Sequence, residues 1–302
     1  MNRPIRTTPG RPVDVEQLFP ELAPYRRETV RLHPRPGAPA CTDSSVGGPL
    51  LWPAAEPWPV CTEEHYEYGL GGPALHEAGV PLLPIVQVRR DEAPGVPYPE
   101  GTDLLQVLWC PYGHGEYCYP LPRVHWRDSA AVGEVRPTPD PDPGLDADWY
   151  PDPCVVHPET VTEYASRDLP RDLGDALRGR FDELEARTGL DYQYHLADAP
   201  GIKLGGWPGW PGWPGWTQDP VWPDCEGCGG RMEHLLTVAS WEFDGESWRT
   251  WLPVEDRAPD GDRPDWSLSE SAGLCLGDAG GVYVFECRTC PDRPVGHWFD
   301  CS

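Results

Sequence analysis

Eight of the chain's cysteine and histidine side chains fall into two sets of four with the spacing of metal ligands. The sharper set is Cys225-x-x-Cys228 with Cys287-x-x-Cys290. An x-x spacing lets two thiolates of a tight turn converge on one ion, and Gly227 and Gly229 supply the backbone freedom that turn needs. Soft thiolates suit tetrahedral zinc, and four of them leave no open coordination position, so the ion would be structural. Two independent buried cysteine pairs, or a redox dithiol, are the competing readings. The second set is Cys61-x-x-x-His65 with Cys110-x-x-x-His114, at places along the chain equivalent to the two knuckles. Mixed thiolate and imidazole ligation suits zinc equally well. Its competing reading is a degenerate site with ordinary surface histidines, and Cys118 is an alternative ligand to His114.

Trp207-Pro-Gly-Trp210-Pro-Gly-Trp213-Pro-Gly-Trp216 is a period-three repeat. In polyproline-II geometry it would align four indoles along one edge, fit to grip a peptide. The alternative is a loop whose indoles fold back onto the sheet. Catalytic signatures are missing: there is no nucleophile elbow, no phosphate-binding loop and no His-Glu-x-x-His. Cys154 with His157 reads as structural or incidental, and Cys41, Cys275 and Cys301 have no obvious partners. His125, His195, His234 and His297 read as core or surface residues, and the acidic loop 255–265 as solvated.

These residues need a scaffold. Val15, Leu18, Phe19 and Leu22 have helical spacing that Pro20 bends or ends. Thr29–His33 alternates like a strand, and the runs Val80–Val88 and Leu104–Trp109 read as buried strands. Residues 135–153 form a Pro- and Asp-rich loop. From Leu169 to Leu190 the chain is helical, with Leu173, Leu177, Phe181, Leu184 and Leu190 on one face and Gly189 as a stop near its end. The order of the first part then recurs. Gly205-Gly206 follows Gly47-Gly48, Trp222-Pro-x-Cys225 follows Trp58-Pro-x-Cys61, Leu235–Ala239 follows Ile85–Val88, and Val282–Cys287 follows Leu105–Cys110. We read an internal duplication with a helical connector. The expected class is α+β, β-dominated: a helical segment over 1–28, a first β-rich lobe over 29–165, a connecting helix over 166–191, and a second β-rich lobe with the four-cysteine site over 192–302.

The 302 residues carry a net charge of −25. Such a surface repels phosphate, which argues against nucleic acid and anionic membrane as partners and favours a basic protein. The 40 prolines and 33 glycines are a share often linked to disorder, yet 15 tryptophans and 12 tyrosines require a packed, loop-rich fold. No signal peptide and no membrane-length apolar run is visible, and Cys-x-x-Cys pairs fit a reducing compartment, so cytoplasm is the expected location.

The order Lys203-Leu-Gly-Gly-Trp-Pro208, Trp216-Thr-Gln218, Cys225-x-x-Cys228, Glu233-His-Leu-Leu236 and Tyr283-Val-Phe-Glu-Cys287 resembles the YwqG-like family of bacterial proteins, and also eukaryotic programmed cell death protein 2. The likeness spans residues 202–290, and over 47–110 it rests on Leu83-Pro-Ile-Val-Gln87 and Leu104-Leu-Gln106. It implies two similar sheet-bearing lobes and a chaperone-like hold on a newly made protein, with Gln218 beside the tryptophans at the contact. Some bacterial relatives imply an immunity protein that occludes a toxin. This chain departs from the family in iterating Trp-Pro-Gly and in carrying Thr237 where a Gln is usual. The functional expectation is a non-enzymatic, zinc-containing protein-binding module, a holding chaperone for a basic client. An immunity protein is the alternative, and an enzyme with a cleft between the lobes is the third reading.

Overall fold

Apolar runs of β-branched and aromatic residues become the central strands, and the Gly/Pro-rich stretches become the loops that cover them. The computed structural model describes residues 5–66, 73–74, 79–114, 119–141, 145–210, 222–259, 263–277 and 279–300. The strands that build the sheets are β1 (Arg26–Arg31), β2 (Arg35–Pro36), β3 (Ser45–Val46), β4 (Leu83–Arg89), β5 (Leu104–His114), β6 (Tyr119–Arg127), β7 (Cys154–Val155), β8 (Glu159–Tyr164), β9 (Lys203–Gly205), β10 (Glu233–Ala239), β11 (Gly281–Glu286) and β12 (Val295–Asp300). One sheet has the order β8-β1-β9-β10-β11-β12. The other runs β2-β7-β3-β4-β5, with β6 also on β5 and the short strands His65–Tyr66 and Pro73–Ala74 at the far end of β5. Every pairing is antiparallel.

The two sheets share a register. Val86 faces Val107 and Gln87 faces Gln106, just past a bulge between Pro84 and Val86. Leu236 faces Val284 and Thr237 faces Tyr283, just past a bulge between His234 and Leu236. On the other side Val46 faces Val86, as Leu204 faces Leu236. Beyond these, β7 lies on β3 in one sheet and β1 lies on β9 in the other. So β1 and β8, both from the stretch expected to form the first lobe (29–165), are built into the sheet of the later strands, while β7 stays with the earlier ones. The edge expected at residue 28 falls inside β1.

Alternation along the central strands decides which side chains meet. Leu105, Val107 and Trp109 of β5 join Val282 and Val284 of β11 in one core shared by both sheets. The opposite face of β5, with Leu108 and Cys110, packs under Trp52, Trp58 and Cys61. That of β11, with Tyr283 and Phe285, packs under Trp210, Cys225 and Cys287. Each sheet thus has an inner face for the core and an outer face capped by a tryptophan-bearing loop.

The helical elements form a separate layer. The long helix α1 (Arg171–Thr188) is shorter than the 169–190 pattern, and it buries Leu177 and Leu184 against Val15, Phe19, Leu22 and Tyr192. It stops where Gly189 takes φ +69, a left-handed conformation that a Cβ disfavours, with its N–H on the Glu185 carbonyl. The Val15–Leu18 turn gives way at Pro20 to a 3-10 stretch over Pro20–Tyr25. The acidic loop is not wholly solvated: Asp256 is buried between Arg6, at 2.8 Å, and Arg35. No described helix is long and apolar enough to cross a membrane.

Candidate metal centres

β11 ends at Glu286 and presents Cys287, buried, at the mouth of a turn that brings Cys290 back beside it. The Cys290 amide donates to the Cys287 sulfur at 3.4 Å. The facing knuckle closes through Gly229 N–H to the Cys225 carbonyl at 2.7 Å and Cys225 N–H to the Gly230 carbonyl at 2.8 Å. Across the gap Cys225 Sγ lies 3.8 Å from Cys290 Sγ, and Cys228 Sγ lies 3.6 Å from Cys287 Sγ. Zinc–sulfur bonds of ~2.3 Å in a tetrahedron put sulfurs ~3.8 Å apart, so the four thiols match a zinc cage. All four sulfurs fall within 4.8 Å of one another.

The first set converges as tightly. Cys110 and His114 lie on β5, which continues past Leu83, the first residue of β4. Cys61 sits in the short strand Val60–Cys61 paired with Val80–Pro81, and His65 is in the strand that meets β5 through Tyr66 and Gly113. Cys61 Sγ is 3.8 Å from His114 Nε2, and Cys110 Sγ is 3.4 Å from His65 Nε2. Zinc with its usual ~2.0 and ~2.3 Å bonds to nitrogen and sulfur predicts ~3.5 Å for such an edge. The two imidazoles meet edge to face at 4.9 Å, and all four residues are buried.

In each set one thiol is pulled down and a neighbouring one pushed up. In the first set the Cys61 thiol is held far below its usual range by the hydrogen bond with Cys110, helped by His114 and His65, while Cys61 and burial push Cys110 up. One sulfur is a ready thiolate and its neighbour retains a proton that a metal would displace. In the second set the Cys290 amide pulls Cys287 down to about 7, and the other three sulfurs push Cys290 up to about 12.

The two tetrads are wired alike. Cys110 and Cys287 hold the same register position, three residues past Val107 and Val284, and Cys61 and Cys225 both follow Trp-Pro-x. The close pairs cross in the same way, first cysteine to last ligand and third to second. Histidine at the i+4 place substitutes for cysteine at i+3, where a longer side chain reaches the centre from one residue further on.

No family model matches the chain, and no curated protein matches it. The tetrads stand on their own geometry. Both sets of four proposed ligands are brought together: Cys225, Cys228, Cys287 and Cys290 in one, Cys61, His65, Cys110 and His114 in the other.

The tryptophan repeat differs from an aligned edge. Trp210, the last described residue of the repeat, has φ +34, outside polyproline-II geometry. Its ring lies 4.5 Å from that of Tyr283, and its indole N–H donates to Asp168 at 2.8 Å. Trp207 is buried too, with Arg27 3.7 Å above its ring and its N–H on the Tyr25 carbonyl. Both indoles are part of the core. Trp213, Trp216, Gln218, Cys118 and Cys301 lie outside the described residues. His125, His195, His234 and His297 are partly or fully buried, and the Cys154 thiol donates to the Ser271 carbonyl at 3.1 Å.

One polar cluster is not foreseen by the motifs. Lys203, the chain's single lysine, is buried on β9 and pairs with Glu163 of β8 at 2.8 Å. Glu163 also accepts from the Ala199 and Trp207 amides, and Asp198 lies alongside, hydrogen-bonded to the Ser166 hydroxyl. The signal was there: the one lysine sits inside an apolar strand.

Proposed function

We propose that the chain is a zinc-stapled protein-binding module whose two tetrads are structural and whose acidic surface holds a basic client, as a holding chaperone does. The observation that carries the zinc reading is the convergence of both ligand sets at tetrahedral edge lengths. Four thiolates, or two thiolates with two imidazoles, fill every position of a tetrahedral ion, so such an ion braces the fold and has no place for a substrate. Each staple would tie a capping loop to a central strand, where the outer face of the sheet holds its tryptophans. The shared strand order, bulge and crossed ligand pairs support an internal duplication behind the two halves. The YwqG-like likeness and the net charge of −25 support a basic protein as partner.

Metal analysis of the purified chain tests the first part: two zinc per chain are expected, one for Cys110→Ser and one for Cys287→Ser. A wild-type chain without zinc overturns it. For the second part, titration with a basic protein should give saturable binding that an acidic protein of equal size does not give. Equal binding of both, or of neither, rejects it.

A further inference from the structure

A cavity of about 370 Å³ opens beside the Lys203 cluster, between the loop after β9, the end of β10 and the 241–247 segment. Its size is within the range of sites that take a small ligand or a side chain. Tyr194, Trp210, Trp241 and Phe243 line it. Tyr194 and Trp241 are among the large hydrophobic residues most exposed to solvent, as is Trp266, whose ring lies 5.8 Å from that of Phe243. Exposed aromatics are therefore gathered at this mouth. The charged lining residues are Asp198, Asp244 and Arg167.

Asp198 is the decisive group. It is 9 % exposed, its Oδ2 takes the Ser166 hydroxyl, and its buried Oδ1 has no hydrogen-bond partner. The only lysine is already bonded to Glu163, with two backbone amides completing that carboxylate. A buried carboxyl oxygen left without a donor costs free energy that a ligand bringing one recovers. Aromatic side chains lining the same cavity as a carboxylate favour a cation with an apolar stem.

We propose that this cavity takes a lysine or arginine side chain of a basic partner, its stem along Trp241 and Phe243 and its charged head directed to Asp198. This rests on the reading that the chain binds a basic protein. Burial raises the Asp198 carboxyl to about 7 against the opposing charge of Lys203, with the Glu163 charge adding to the rise. An incoming cation would expel its proton.

The test uses the full, zinc-loaded chain and a fluorescent nine-residue peptide with one central lysine flanked by glycine and serine, plus the same peptide with norleucine. Binding is read by anisotropy at low and at 0.5 M salt, for wild type, Asp198→Asn and Trp241→Ala. Asparagine retains an acceptor for Ser166, and Trp241 is partly exposed, so zinc content and the unfolding midpoint report intact folding. The lysine peptide should bind wild type, lose about tenfold to a hundredfold in Asp198→Asn as expected for a charged hydrogen bond, bind more weakly to Trp241→Ala for want of the aromatic face, and fail as norleucine. It should survive salt that screens surface charge. Equal affinity of all three proteins, or binding abolished by salt alone, overturns the cavity. A basic protein bound equally by wild type and Asp198→Asn leaves the chaperone reading standing and removes this one. A basic protein bound by neither removes both.

Discussion

His234 shows how burial converts into pH dependence. Its Nδ1 donates to the Gly205 carbonyl at 2.9 Å and its Nε2 lies 2.9 Å from the Thr237 hydroxyl. Burial, with Lys203 nearby, pulls its pKa down to about 3. An unfolded histidine titrates near ~6.5. The folded value is the lower one, so the unfolded chain takes up a proton that the folded chain refuses. The resulting stability is complete above the unfolded pKa and is lost as pH falls toward the folded one, at about 1.4 kcal/mol per pH unit. Asp198, raised in the folded state, acts with the opposite sign as pH falls below its folded value, so only a difference isolates the histidine. Urea unfolding of wild type and His234→Gln between pH 7 and 4.5 should give a gap that narrows by about one such increment per unit on acidification. Parallel curves would refute the buried-neutral assignment.

At the level of elements, the turn after β9 and the helix α1 set opposite demands on glycine. Gly206 has φ +67, and a Cβ there would lie 2.0 Å from Glu163 Oε1, inside the carboxylate that anchors Lys203. Gly206→Ala should therefore cost several kcal/mol, on the order of the ~3–5 kcal/mol of a broken buried ion pair. Gly174 and Gly179 lie within α1 with open space within 4 Å of where a Cβ would stand. There alanine only restricts the unfolded chain and favours the helix, so Gly174→Ala and Gly179→Ala should each stabilise by about 0.5–1 kcal/mol. Thermal unfolding checks all three, and a destabilised Gly174→Ala would contradict the open helix face.

At the scale of the whole molecule, β1 and β8 link the halves, because these early strands lie in the sheet of the later ones. A fragment ending at residue 165 retains β1 and β8 without β9, the strand that joins them to the rest of their sheet, and loses the part of the shared core that runs from Ile202 to Phe299. Such a fragment should give no cooperative unfolding transition, while the full chain should unfold in one calorimetric step. Two separate transitions in the full chain would show that the halves are independent.

Much of this was written in the order of residues. Apolar runs marked the central strands, and Gly189 marked the end of α1. The Cys-x-x-Cys and Cys-x-x-x-His spacings named both ligand sets, because a turn brings nearby residues together and spacing alone decides whether they can share an ion. The sequence could not say that each pair meets its partner across a long separation, since that contact is made by sheet pairing between distant strands. Nor could it place Trp207 and Trp210 inside, where satisfied indole N–H groups and packed rings outweigh a repeat's periodicity. The placement of β1 and β8 in the later sheet and the buried Lys203–Glu163 pair are products of the assembled sheets, because burial and hydrogen-bond partners exist only once the chain has closed around them.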